Sequence, residues 1–181
     1  MAAVPLAVAL ADRHLSGASA ALVLSTTAEA LAVSVLVLQP LLARKGQIAR
    51  HQILGGVAFA LVLVHVGALF AESPADAWFA LSPDGPTRAR MALIATIALF
   101  GVVALGVLRN RLRLGADTWR ILHAYLALVV ISLGIGHAVL TDGALDGAGT
   151  PVLLLLAAVG LLGVPAAHLV RTRRARRHDP I

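Results

Sequence analysis

Histidine occurs in this chain in two pairs of equal spacing. His51 and His65 are fourteen positions apart, and so are His123 and His137. Each pair lies in an apolar stretch long enough to cross a bilayer. Fourteen residues of α-helix return to within about 40° of the same face, roughly 21 Å further along the axis. Each helix therefore presents two imidazoles on one side, near opposite membrane surfaces. Neutral imidazole suits iron, and zinc also accepts it. A bare zinc site would call for four converging ligands. Two imidazoles per level, with no thiolate or carboxylate company in the pattern, suit a haem, whose porphyrin fills the other four positions. Two such helices face to face would hold two haems stacked across the membrane. A single intramembrane histidine is often only a hydrogen-bonding partner for a neighbouring helix. Four of the chain's seven histidines at one repeated interval are harder to read that way, because ionisable groups in hydrocarbon are rare and tend to be functional.

The elements that must carry these residues are membrane spans. The chain has 181 residues, of which 59% are hydrophobic and only 13% charged, and its mean hydropathy is +0.89. A soluble domain averages about 25% charged residues. The expected fold is all-α: an integral membrane bundle of about five transmembrane helices, two of them parallel and histidine-bearing. The spans are expected at about Ala18–Leu42, His51–Phe70, Met91–Leu108, Ile121–Leu140 and Pro151–Val170, each near the length that a core about 30 Å thick requires. In hydrocarbon these must be helices, since a helix satisfies its own backbone. Cysteine is absent, which excludes disulfides, thiolate ligands and iron–sulfur clusters. The pI of about 11.4 does not signal nucleic acid, because the basic residues fall in short runs between apolar spans.

Those runs set the topology. Twelve of the fifteen basic residues lie in three segments: the connection with Arg44, Lys45 and Arg50, the connection with Arg109, Arg111, Arg113 and Arg120, and the tail from Arg171 to Arg177. The other two connections carry Glu72, Asp76, Asp84, Asp142 and Asp146 and are rich in Pro and Gly. The positive-inside rule puts the basic segments in the cytoplasm, the N-terminus outside and the C-terminus inside. Spans two and four then run parallel, so His51 pairs with His123 at the cytoplasmic level and His65 with His137 at the outer level. Gly55, Gly67, Gly134 and Gly136 lie beside these histidines, where small residues admit a flat macrocycle or a close-packed helix. Arg50 and Arg120 flank the inner level and Arg88 and Arg90 the outer one, as partners for anionic propionates or as plain topology signals. Trp78, Trp119 and Tyr125 fit an interfacial aromatic belt, with a place beside the electron path as the other reading for an aromatic.

The pattern Arg50-His51-x-x-Leu54-Gly55, then His65, then Trp119-x-x-x-His123, then His137 resembles the ferric reductase-like transmembrane domain. That family includes the membrane domains of ferric-chelate reductases and NADPH oxidases, and the haem subunit of the bacterial methionine sulfoxide reductase system. The resemblance covers about residues 17–170, leaving 1–16 as an extracytoplasmic or interfacial segment and 171–181 as a basic cytoplasmic tail. It implies that His51, His65, His123 and His137 ligate two b-type haems and that electrons pass from a cytoplasmic donor to an extracytoplasmic acceptor. The chain departs from many relatives in having no nucleotide-binding fingerprint such as GxGxxG. A separate flavoprotein reductase or a membrane quinol is therefore the expected donor.

The expectation is a bacterial plasma-membrane cytochrome b embedded in lipid, with no nucleic-acid partner. Its rivals are a haem-free transporter or scaffold, and a quinol-oxidising anchor subunit of a larger redox complex. Glu29, inside the first span near Thr26 and Thr27, is read either as a proton or quinol contact or as a helix-to-helix hydrogen bond with a threonine. His168 is expected at the interface, and His14 and His178 in solvated ends. The arginine-rich tail reads as a topology and lipid-headgroup anchor, or as a docking site for an acidic flavoprotein. No nucleophile–base pair, paired-carboxylate site or phosphate loop is present.

Overall fold

A computed structural model of the chain describes residues 17–43 and 46–141. The expected fifth span, the basic tail and residues 1–16 lie outside the described residues. Within them are five helices: α1 (Ala20–Leu42), α2 (Ile48–Glu72), α3 (Pro74–Leu81), α4 (Thr87–Val107) and α5 (Ala116–Leu140). All but α3 are long and apolar enough to cross a membrane. They match the first four expected spans, with α2, α4 and α5 starting a few residues earlier than the apolar runs. A helix does not stop where hydrocarbon stops. Its polar first turns continue into the headgroup region, which places Arg50, Arg88, Arg90, Trp119 and Arg120 on helices.

The ends follow local chemistry. Ser19 caps α1, its side-chain oxygen accepting from the Leu22 N–H at 3.1 Å. The α1–α2 corner uses Gly46 at φ +86°, a conformation that a Cβ would disfavour. The short helix α3 was not expected in what reads as an acidic, Pro-rich loop. Ser73 starts it by accepting from the Asp76 N–H at 3.4 Å, and Pro74 stands at its first turn, where a missing N–H costs nothing. Trp78 meets Phe70 edge-on at 5.3 Å and is otherwise exposed, as an interfacial aromatic should be. The turn from α3 into α4 needs Gly85: a Cβ there would lie 2.8 Å from the Phe79 carbonyl oxygen.

The four long helices pack as two hairpins, α1 along α2 and α4 along α5, and the hairpins touch each other sparingly. The first seam is made close by small residues. Ser25, Ala28 and Ala32, which share one face of α1, and Ala58 of α2 are buried there, as membrane helices pack when lipid offers no hydrophobic drive. The hairpins meet at mid-depth. Val33 and Val37 of α1 join Ile131, Ile135 and Ala138 of α5 in one apolar cluster. Leu99 and Val130 gather Leu36, Phe59 and Val62 in a second, beside an edge-on contact of Phe59 with Phe100 at 4.9 Å. The outward faces expose Ile53, Ile97 and Ile121 at 63–71%, the side chains that meet lipid.

This packing separates two kinds of apolar position. Ala58→Leu should overpack the bundle and destabilise it by about 1–3 kcal/mol. Ile53→Ala, on the exposed face, should leave stability nearly unchanged. Thermal unfolding of both variants in one detergent checks this; equal effects would contradict the assignment of the two faces.

Candidate functional site

The two hairpins leave the four histidines facing one another across the gap between α2 and α5. His51 stands opposite His123 with ring centroids 6.1 Å apart and planes at 60°. His65 stands opposite His137 at 6.2 Å and 67°. Helices α2 and α5 are therefore parallel, and the pairs are those expected from the loop charges. The mid-depth apolar clusters lie between the two levels.

These separations can be set against the chemistry. A metal ion held between two imidazoles would stand about 2.0 Å from each nitrogen, with each ring centre about 1.15 Å beyond, so that centroids would fall about 6.3 Å apart where both nitrogens lie on the line between the rings. Both pairs meet that spacing. Ligation through Nε2 also needs Nδ1 to give its proton elsewhere, commonly to a carbonyl or carboxylate. His65 Nδ1 lies 3.1 Å from the Ser25 carbonyl oxygen and 3.0 Å from the Ser25 hydroxyl. His137 Nδ1 lies 3.1 Å from the Arg88 carbonyl oxygen. His51 Nδ1 lies 3.3 Å from the Gln39 carbonyl oxygen. The Gln39 side chain is also in reach of this ring: with its NH2 turned inward it sits 2.7 Å from Nδ1. In that orientation Nδ1 accepts and Nε2 keeps the proton. With the amide reversed, or with the backbone carbonyl as acceptor, Nδ1 donates and Nε2 is free to ligate.

His123 differs. Its Nδ1 is buried without a hydrogen-bond partner among the described residues. Its ring instead stacks on Trp119, with centroids 4.9 Å apart and planes within 18°. The Trp119 N–H donates to the Leu105 carbonyl oxygen at 2.9 Å, and the Arg109 guanidinium carbon lies 4.5 Å from the centroid of the same indole.

Glu29 belongs to the other level. Its carboxylate oxygens lie 3.6 Å from His137 Nε2 and 3.9 Å from His65 Nδ1. Among the described residues it bonds to neither Thr26 nor Thr27; it faces the histidines. Glu29, His65 and His137 bring one ligand atom each to within 4.8 Å of one another. A cavity of about 800 Å³ opens here, lined by Ser25, Glu29, His65, Arg88, Gly134 and His137 among others. That is the size of a cofactor pocket, for which about 300–1,000 Å³ is usual.

The glycines divide. Gly134 lines the cavity, and a Cβ on it would meet nothing within 4 Å. Gly136 serves helix packing, because a Cβ there would run into the Met91 side chain. Gly55 faces Gln39, 3.9 Å from its amide oxygen. Of the flanking cations, Arg88 lines the cavity, Arg50 is exposed, and Arg120 is exposed and paired with Asp117 at 3.1 Å. Arg90 bonds to Thr87 at 3.3 Å. Ser25 and Gln39 were not foreseen. Both are buried polar residues inside an apolar span, which is the signal that marks them.

The family model described as ferric reductase like transmembrane component matches residues 17–134, which takes in α1 to α4 and α5 as far as Gly134. No curated protein and no solved structure matches the chain. With four membrane-length helices in place and the match spanning well over half of its residues, the chain belongs to the ferric reductase-like transmembrane component family.

Proposed function

We propose that this chain carries electrons across a bacterial plasma membrane through two b-type haems, one held by His51 and His123 and one by His65 and His137. The observation that carries the reading is the spacing of the two imidazole pairs, 6.1 and 6.2 Å between centroids, beside an expected value of about 6.3 Å. The family membership supports transmembrane electron transfer as the general activity. When bound, the haems supply one-electron iron chemistry.

The protein's own residues do the rest. The carbonyls of Ser25 and Arg88 take the Nδ1 protons of His65 and His137 and orient those two ligands; the Gln39 carbonyl does the same for His51 when its side-chain NH2 is turned away from that ring. Apolar side chains of the mid-depth clusters line the space between the levels. Arg88 in this reading meets an anionic group in the outer cavity, and Arg50 and Arg120, the latter also paired with Asp117, do so at the inner end. In this reading the arginine-rich end faces the cytoplasm, with the N-terminus outside and the tail inside. A separate flavoprotein or a quinol supplies electrons, and an extracytoplasmic acceptor takes them.

One observation favours a second reading for the outer level alone. Two histidines and one carboxylate in mutual reach are the donor set of a mononuclear non-haem metal site. That alternative gives one haem per chain and a metal ion on Glu29, His65 and His137.

Single-site variants separate the two. His65→Ala should leave one haem per chain, at His51–His123, and His51→Ala should leave one at His65–His137, both counted by absorption after haem extraction. Loss of neither haem in either variant would refute the ligand assignment. Glu29→Gln should keep both haems and raise the midpoint potential of the outer one alone, since it removes a carboxylate 3.6 Å from a ligand nitrogen. Loss of a bound metal ion without any change in haem content would favour the second reading. Reduction by a flavoprotein with NAD(P)H, compared with reduction by a quinol, identifies the donor class.

A further inference from the structure

Three of the four facing histidines are oriented in the same way: the ring nitrogen turned from the gap meets a main-chain carbonyl of a neighbouring helix, from Gln39, Ser25 or Arg88. His123 has no such carbonyl among the described residues. An imidazole without that bond is free to turn about its Cβ–Cγ bond, so something else must fix its plane.

The contact that is present is Trp119. It lies one turn earlier on α5, and at that spacing side chains share a face. Its indole lies nearly parallel to the imidazole, 18° between planes and 4.9 Å between centroids. The indole is itself held. Its N–H is bound to the carbonyl of Leu105 at 2.9 Å, in the last turn of α4, where carbonyls lack a partner within the helix. The Arg109 guanidinium covers the ring at 4.5 Å, a cation–π contact. An anchored, flat surface against one face of an imidazole stops its rotation as a hydrogen bond would.

We propose that Trp119 is the positioning residue of His123, fixing the plane of that imidazole through stacking and through its own anchor on Leu105. This rests on the reading of His51 and His123 as ligands of one haem. It makes the two levels unlike. The site at His65 and His137 is oriented by hydrogen bonds on both sides, and the site at His51 and His123 by a hydrogen bond on one side and a ring on the other.

The low-spin electron paramagnetic resonance signal of an iron between two imidazoles depends on the angle between the ring planes, so it reports the proposed role directly. The signals of the two haems are first assigned with His51→Ala and His65→Ala. Trp119→Leu removes both the stacking face and the anchor, and should displace the inner signal while leaving the outer one in place and both haems bound. Trp119→Phe keeps an aromatic face but loses the bond to Leu105, and should broaden the inner signal with a smaller displacement. If Trp119→Leu does not fold, the Phe variant carries the test alone. An inner signal unchanged in every variant that folds overturns the inference, as does an equal shift of both signals. Absence of haem from the unaltered protein overturns the reading beneath it, and the inference with it.

Discussion

An imidazole between apolar helices must give its N–H to something, because an unsatisfied donor in hydrocarbon costs several kcal/mol. That constraint organises the site. Main-chain carbonyls of α1 and α4 lie against three of the four rings, from Gln39, Ser25 and Arg88. A carbonyl that accepts the Nδ1 proton leaves Nε2 to face the gap, as at His65 and His137; at His51 the Gln39 side-chain amide competes for Nδ1. Helix packing, imidazole tautomer and ligand direction are thus one decision. Helix α1 bears no histidine, yet it serves both levels on the α2 side, and its buried polar residues Ser25 and Gln39 are where it does so.

The same constraint explains why the bundle is two close hairpins loosely joined. Within each hairpin, one helix supplies the carbonyls that orient rings on its partner, and the α1–α2 seam is narrow because alanine and serine fill it. Between hairpins, contact concentrates at mid-depth in branched aliphatic and phenylalanine side chains. Above and below that plug, the gap is spanned by paired imidazoles. At the level of His65 and His137 the gap opens into the cavity of about 800 Å³, with a carboxylate on its wall. The described residues thus hold one roomy level, at His65 and His137, and apolar side chains between it and the level of His51 and His123.

Much of this was legible in the residues. The fourteen-residue interval placed two imidazoles on each of two helix faces, and the alternation of basic and acidic connections made those helices parallel, which fixes which histidine meets which. The observed pairs follow from those two facts. The short helix α3 was missed because Ser73, Pro74 and Asp76 read equally as turn residues and as a helix start. Helix ends were misplaced by a few residues because hydropathy marks the hydrocarbon, whereas a helix ends where its caps are. The orienting groups were largely invisible because most are carbonyls, and a carbonyl has no letter in a sequence. Ser25, Gln39 and Glu29 were the exceptions, each a polar letter in an apolar run. Of these Glu29 stands out most, as a charged letter in an apolar run, and its neighbours are His65 and His137 rather than the adjacent threonines.

The central claim is that two imidazole pairs, spaced for one iron each, hold two haems in one chain. It is tested most directly by the haem-to-protein ratio and the reduced-minus-oxidised spectrum of the purified, unaltered protein, expressed with adequate haem. The account predicts a b-type band and two haems per chain. Absence of a b-type band under those conditions would contradict it.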